Sequence, residues 1–446
     1  VLFISIDDLN DWVGVLGGHP QAKTPNIDRL AQKGLVFNQA YCAAPICNAS
    51  RVALLTGIPP HKSGVYQNKH SWRRVMPDVV TLPHLFKQNG YWVSGAGKIY
   101  HESFPECGGW DEYYGFNQVV GDKMQLGIFG REPIPPNIPI NGIGALEKAF
   151  DWGELSVADE QMPDRKLTDW VRENLGKSYQ QPFFFACGFS HPHLPWYVPQ
   201  KYFEPFPLDE IQLPIIKQDD LNDIPSLGIK LAASERDHAA VIEHNQYRQA
   251  VQGYLASIYF VDTMIGRVLD ALDASPYADN TIIVLWSDNG WHLGEKLHWR
   301  KGTLWEEATR IPLIFVVPKQ TQAGSKCDRP VSLLDIYPTL IDLCGLSPTP
   351  PNLGGKSLLP LLENPNVAWD NPVLMTWQGH HSIRWQQLRY IRYTDETEEL
   401  YDHKIDPLEW NNLAADSKYA QVKAQLAQWI PRENAPPAPI MDLLGC

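Results

Sequence analysis

The stretch Val1-Leu2-Phe3-Ile4-Ser5-Ile6-Asp7-Asp8 decides the fold: a short apolar run breaks off abruptly at two adjacent carboxylates. Such a run, rich in branched and aromatic side chains, reads as a strand buried on both faces, and strands of that kind belong to parallel sheets covered by helices on each side. The same design recurs three times. Tyr91 to Gly95 precedes Lys98 and His101, Phe183 to Phe189 precedes His191 and His193, and Thr281 to Trp286 precedes Asp288-Asn289. Helical patterns lie between these runs, over Pro25 to Gln32, Thr81 to Gln88 and Tyr254 to Leu272. The alternation predicts an α/β fold with a large, mostly parallel or mixed sheet sandwiched by helices. Ligands of such sheets sit beyond the carboxyl ends of the strands, where all four polar clusters would project.

Between residues 100 and 180 the pattern loosens, and Pro133, Pro135, Pro136 and Pro139 predict long loops over the sheet edge. After a helix over Leu333 to Cys344, the run Pro348-Thr349-Pro350-Pro351 marks a boundary. It divides the chain into a large α/β domain, 1–350, and a smaller C-terminal α+β subdomain, 351–446. Short antiparallel strands are expected there at Val373 to Trp377, Ser382 to Trp385 and Leu388 to Tyr393, with a closing helix over Tyr419 to Trp429.

With 446 residues, 44% hydrophobic and 20% charged, the composition is that of a soluble globular protein with a sizeable core, and no apolar run is long enough to span a bilayer. A net charge of −13 argues against a nucleic-acid partner, although a few clustered cations still dominate a pocket within a Debye length of about 8–10 Å. The seven cysteines have no metal-type spacing and are odd in number, and Cys187 and Cys344 lie in apolar runs as buried thiols. The first residue, Val1, stands inside an apolar run without a starting methionine, so an export signal is expected to have been trimmed.

Two constellations carry chemistry. Cys47-Asn-Ala-Ser-Arg-Val-Ala-Leu-Leu-Thr-Gly57 sets a cysteine and an arginine four apart where a helix begins, with Asn48 and Ser50 as capping residues and Gly57 past its end. The helix N-terminus and the Arg51 guanidinium favour negative charge at Cys47. Three residues between Cys and Arg, rather than five, exclude a cysteine-dependent phosphatase loop. Asp7, Asp8, Asp288 and Asn289 offer hard oxygen donors, which suit Ca²⁺ or Mg²⁺ and not zinc. Adding Arg51, Lys98 and Lys301 makes a metal-loaded site cationic, each cation attracting an anion by about 4 kcal/mol at 4 Å and an effective dielectric near 20.

The Cys47 to Gly57 segment resembles the signature C-x-[PA]-S-R-x-x-x-L-[TL]-G of the type I sulfatases, in the alkaline phosphatase superfamily. Further motifs similar to theirs follow in family order: Ser5 to Asp8, Thr24 to Asp28, Gly97 to His101, His191 to Pro195, Ser287 to Gly290, and Trp299 to Lys301 with Glu306. Glu399 to Asp402 and Asp406-Pro407 resemble the family's C-terminal pattern, and the Lys98/His101 spacing is closest to the iduronate sulfatase branch. The resemblance implies that a maturation enzyme, formylglycine-generating or anaerobic, oxidises Cys47 to formylglycine. This residue would join Asp7, Asp8, Asp288 and Asn289 around Ca²⁺, with Mg²⁺ as the alternative ion, and act as nucleophile through a covalent sulfo-enzyme. Arg51 would hold the nucleophile, Lys98 the sulfate oxygens, His193 with Lys301 would protonate the leaving oxygen, and His101 would serve the elimination. Trp291, His292, Arg300 and His380 are expected to line the sugar pocket.

The implied substrate is a sulfated oligo- or polysaccharide, such as one bearing a 2-O-sulfated uronic acid, and the implied compartment is periplasmic or extracellular. A phosphonate monoester or phosphodiester hydrolase of the same superfamily is the enzymatic alternative, and a non-catalytic binder of sulfated glycans the other. Two positions depart from the family pattern. Ala49 stands where proline is commonest, which bears on the maturation system, and Lys296-Leu297 replaces a His-Gly, which bears on the substrate contacts.

Overall fold

The computed structural model describes residues 1–101, 108–115, 118–120, 123–125, 133, 135, 137–143 and 149–440. The central sheet has eight strands: β1 (Leu2–Ile6), β2 (Leu35–Phe37), β3 (Trp92–Gly97), β4 (Glu112–Tyr114), β5 (Phe183–Phe189), β6 (Ile283–Ser287), β7 (Leu313–Val316) and β8 (Ser325–Cys327). Their order across the sheet is β8-β2-β7-β6-β1-β5-β3-β4. All pairings are parallel except those of β7 with β6 and with β2, so β7 alone runs against the rest. The four runs singled out from the sequence are the adjacent central strands β6, β1, β5 and β3. Ile6 is in register with both Ser287 and Phe189, so the polar residues that follow them emerge at one level.

Alternation along each strand feeds two cores. Leu2, Ile4, Ile6, Phe185, Cys187 and Leu285 pack under α1 (Pro25–Ala31), α4 (Pro163–Leu175) and α5 (Tyr247–Asp273). Val1, Phe3, Phe184, Val284 and Trp286 pack under α2 (Cys47–Thr56), α3 (Leu82–Gln88) and α6 (Ile336–Cys344). The expected sandwich is therefore present. α5 starts at Tyr247 rather than Tyr254, because Ala250 and Val251 extend its buried stripe.

α4 corrects the expectation of loops up to residue 180. Its buried side, Leu167, Thr168, Val171 and Leu175, is a thin stripe among charged residues, and so left little helical signal. Pro133, Pro135 and Pro139 lie outside regular elements, and Pro136 falls outside the described residues.

The C-terminal subdomain is an antiparallel meander of β9 (Val373–Trp377), β10 (His380–Trp385), β11 (Leu388–Arg392) and β12 (Glu398–Asp402), with α7 (Ala420–Ala427) on one face. Leu426 of α7 packs with Ile383, Tyr390 and Leu400. The other face, through Met375, Ile391 and Tyr401, shares a core with Tyr41, Leu304 and Trp305 of the large domain. Beside this core, the buried Arg389 places Nε 2.6 Å from Glu409 and also pairs with Glu306, whose amide donates to Glu409 at 3.0 Å. His403 Nε2 adds a 2.8 Å contact to the same Glu409 carboxylate. Buried charges are tolerated when paired and hydrogen-bonded in this way. Among the described residues no helix is long and apolar enough to cross a membrane, and Cys42, Cys47, Cys187, Cys327 and Cys344 are free thiols.

Candidate active site

The end of β1 turns sharply because Asp8 adopts a left-handed conformation (φ 61°), which a short polar side chain tolerates better than most. The turn is tied to its neighbours. Asp8 N donates to Asp288 Oδ1 at 3.0 Å, Leu9 N to Ser287 Oγ at 3.0 Å, and the Tyr254 hydroxyl of α5 to the Asp8 carbonyl at 2.8 Å. α2 approaches from the other layer with Cys47 as its first residue. Its N-cap is Ile46, without a side-chain cap, which corrects the capping expectation for Asn48 and Ser50. Asn48 Nδ2 instead bonds the carbonyls of Gln67 and His70, and Ser50 Oγ is buried without a partner. Gly57 ends the helix in the left-handed region (φ 71°), as expected. Ala49 faces the core between helix and sheet. The result is a buried cluster in which Cys47 Sγ and carboxylate oxygens of Asp7, Asp8 and Asp288 all lie within 4.8 Å of one another.

Three cations meet the three carboxylates. Arg51, fully buried, donates from Nε to Asp288 at 2.7 Å, from Nη2 to Asp7 at 3.1 Å, and from Nη1 to the carbonyls of Lys98 and Ile99 at 2.5 and 3.2 Å. Its guanidinium is therefore the frame of the cluster, spent on protein groups. Lys98 Nζ contacts Asp7, while Lys301 Nζ contacts Asp8 and lies 2.8 Å from Cys47 Sγ. Lys98 is placed by a close strand contact, its amide donating to Gly188 O at 2.8 Å. A Cβ on Gly188 would stand 2.2 Å from the Lys98 carbonyl, so only glycine fits.

Burial favours the neutral form of Asp7, but Lys98, His193 and Arg51 override it and hold this carboxyl well below the usual range. Cys47 goes the other way. Burial pushes its thiol far up despite Lys301 and Lys98, so the unmodified side chain is a protonated, poor nucleophile. Burial, reinforced by Lys98, Lys301 and Arg51, drives His101 far below the ordinary imidazole value and keeps it neutral.

The donor set fits a hard divalent cation. Asp8 Oδ2 and Asn289 Oδ1 are buried without hydrogen-bond partners, although Asn289 Nδ2 is satisfied by Asp8 Oδ1 at 2.8 Å and Gly290 O at 2.9 Å. Two orphaned oxygen acceptors facing a carboxylate cluster are costly unless an ion takes them up.

Of the other candidates, His193 is 37% exposed and sits at the rim, with Nε2 3.7 Å from Asp8 Oδ2 and Nδ1 2.6 Å from the Leu194 carbonyl. Trp291 is brought to the cluster, with Lys301 Nζ 5.5 Å from its ring centroid. Arg300 carries a left-handed backbone (φ 80°), and its Nε bonds Asp237 at 2.5 Å, so its charge is already matched. His292 and His380 are placed otherwise than expected. His292 is fully buried, with Nε2 2.9 Å from Thr303 Oγ1 and Nδ1 3.2 Å from Glu295 O, and has no face for a sugar. His380 is buried and accepts from the Thr394 amide at 3.1 Å, whereas its strand neighbour His381 faces an open cavity. Adjacent strand residues face opposite ways, so the two histidines meet different surroundings.

Sequence reasoning missed two supports. Asp164, at the start of α4, accepts from Ser190 N at 2.9 Å, His191 N at 3.0 Å and His191 Nδ1 at 2.8 Å, fixing the turn that presents His193. The aspartate near the helix N-terminus was the only available signal. Lys296, the departure noted above, is buried in a left-handed conformation (φ 55°), bonded to Asp220 at 2.9 Å and to the Glu409 carbonyl. It anchors the loop that carries Lys301.

Comparison with known proteins gives the family and the fold. The sulfatase family profile matches residues 1–346, and the profile of the N-sulphoglucosamine sulphohydrolase C-terminal region matches 294–435. A sulfatase of Formosa agariphila is 41% identical over 98% of this chain and 87% of its own length. Human iduronate 2-sulfatase is 30% identical over 78% of this chain and 70% of its own length. The phosphonate monoester hydrolase of Agrobacterium radiobacter superposes with a TM-score of 0.78 over 96% of this chain and 94% of that one, at 22% identity, which shows a shared fold.

Proposed function

Since the chain belongs to the sulfatase family and is a sulfuric ester hydrolase, we propose that it works through formylglycine at position 47 and Ca²⁺ held by Asp7, Asp8, Asp288 and Asn289. The observation that carries this reading is the buried meeting of Cys47 Sγ with three carboxylates and Lys301, around oxygen atoms left without partners. The hydrated aldehyde would supply the attacking oxygen, and the ion would polarise the sulfate and stabilise its developing charge. Arg51 fixes Asp7 and Asp288, leaving Lys98 and Lys301 to offset the charge of a bound sulfate. In this reading His193, at the rim, hands a proton to the leaving sugar oxygen. His101, on the same reading, accepts the proton released when sulfate departs. Trp291 lies beside Lys301 but is buried at 3% exposure, and His292 is buried as well.

The substrate reading is a 2-O-sulfated uronic acid within a sulfated oligo- or polysaccharide, supported by the likeness to iduronate 2-sulfatase over most of the chain. Action on such polymers suits a periplasmic or extracellular enzyme, matured by a partner that accepts Ala49. The test joins two measurements: the mass of the peptide containing residue 47 after production with a formylglycine-forming system, and release of sulfate against phosphonate from matched aryl esters. An aldehyde mass with sulfate release dominant is expected. A thiol in protein that nevertheless turns over sulfate esters, or dominant phosphonate hydrolysis, would overturn the reading.

A further inference from the structure

A cavity of about 890 Å³ lies in the C-terminal subdomain and not at the carboxylate cluster. Its volume falls within the roughly 300–1,000 Å³ of small-molecule sites. His381 on β10 and Arg392 opposite it on β11 form one wall, and Arg432 and Asn434 line another, beyond α7. Arg392 shares its charge with the exposed Glu396, whereas Arg432 has no ion pair among the described residues. On a chain of net charge −13, a cavity with two guanidinium groups against one carboxylate is a local reversal of sign. His381 is 3% exposed, with Nδ1 3.1 Å from Thr376 Oγ1 and the other side of its ring toward Asn434 and this space. Trp429, 56% exposed, stands in sequence between two lining residues and offers an aromatic face of the kind that stacks on sugar rings.

One hairpin lies between the cavity and the reacting end of the molecule. Gly379, in the β9–β10 turn, lines it, and Trp377 in the same hairpin packs against Gly302, where a Cβ would meet its ring at 3.4 Å. Gly302 follows Lys301, the lysine on Cys47. The Trp377 indole N–H is buried and unpartnered. Trp377 thus packs between the loop that carries Lys301 and the turn that lines the cavity.

We propose that this cavity is a second subsite, holding an anionic sugar residue of the same chain whose sulfate ester is cleaved at Cys47. The proposal rests on the sulfated-glycan reading above. An oligosaccharide long enough to reach both places gains affinity from Arg432, Arg392 and His381, whereas a disaccharide gains none. Because the guanidinium groups face solvent, the gain weakens with salt.

The test compares wild type with Arg432→Ala and Trp429→Ala in the matured protein, using a heparin-derived sulfated hexasaccharide and the 2-O-sulfated unsaturated uronate disaccharide. The ratio of the hexasaccharide KM to the disaccharide KM is expected to rise about three- to tenfold in each variant at low salt, the size of one exposed charged or stacking contact. An unchanged ratio in both overturns the proposal. Retention of each protein in native gels containing dextran sulfate, with dextran as control, provides a readout independent of turnover. If the protein hydrolyses neither heparin fragment, the substrate reading fails, while loss of retention in Arg432→Ala still supports a polyanion site. Equal retention of wild type and variant refutes it.

Discussion

Arg51→Met removes a side chain that touches both Asp7 and Asp288. Breaking a buried ion pair by deleting one partner costs about 3–5 kcal/mol, because the other charge stays buried. The Ile99 carbonyl also loses its described donor, worth about 1–3 kcal/mol, while the Lys98 carbonyl keeps Ser5 Oγ at 3.0 Å. In chelator the variant should therefore lose about 4–8 kcal/mol. Calcium should return part of it. A ligand at a hundredfold its Kd stabilises by about 2.7 kcal/mol, and a cluster stripped of one positive charge binds a divalent cation more tightly than the parent. Calcium should accordingly stabilise the variant by about 1–2 kcal/mol more than it stabilises wild type. Urea unfolding followed by tryptophan fluorescence reads this directly, since Trp286 lies 5.5 Å from the guanidinium. A loss in chelator below about 1 kcal/mol, or a calcium gain no larger than that of wild type, would refute the view of Arg51 as the frame of an ion site.

Lys301→Ala should leave conversion of Cys47 intact by mass but lower kcat by about 10²–10⁴, the usual span for a positioned proton-transfer or charge-stabilising group; a loss under tenfold would reduce Lys301 to a counterion. Ala49→Pro should fold normally, because position 49 lies in the first helical turn, where no intrahelical acceptor is lost, and the fraction of aldehyde formed by a proline-preferring maturation enzyme should rise. Circular dichroism and peptide mass check the two halves of that statement. His61 and His381 pack edge to face across the domain junction at 6.4 Å, each pushed down to about 4, His61 by burial and then Lys62, His381 by burial and then His61. The folded state stays neutral there while the unfolded chain takes up protons, so this contribution is present above pH 6.5 and is lost as pH falls toward 4. His61→Phe should flatten that part of the stability profile relative to wild type, and parallel profiles would count against it.

The four central strands were legible because burial on both faces leaves an uninterrupted apolar run, and a run that ends in Asp or His advertises a strand end. Regions where tertiary contact overrides local pattern were not legible. β7, the strand running against the others, carries the apolar signature of a parallel strand, and nothing in Leu313–Val316 encodes its direction. At the site, residue types announced themselves through motif order, but their partners did not. Arg51 was expected to face the nucleophile, and its donors are taken up by Asp7, Asp288 and two carbonyls. Asp164 and Glu409 were invisible because their work depends on contacts between residues distant in sequence. His292 and His380 show the limit of reading a histidine near a strand end as ligand-facing, since half of such positions point inward.

Lys296 and Glu306 flank the loop that presents Lys301, and both are gripped by Glu409, one through its carbonyl and one through its carboxylate, with Arg389 of the small sheet closing the knot. The C-terminal piece is therefore not an appendage that evolution or an engineer can trade at will. Grafting another family member's small sheet onto this large domain would dislodge a lysine belonging to the partner piece, unless the acid, the arginine and the buried lysine travelled together. Substrate range in such a scaffold should drift by changes along the cavity rim, while this knot is inherited as a unit.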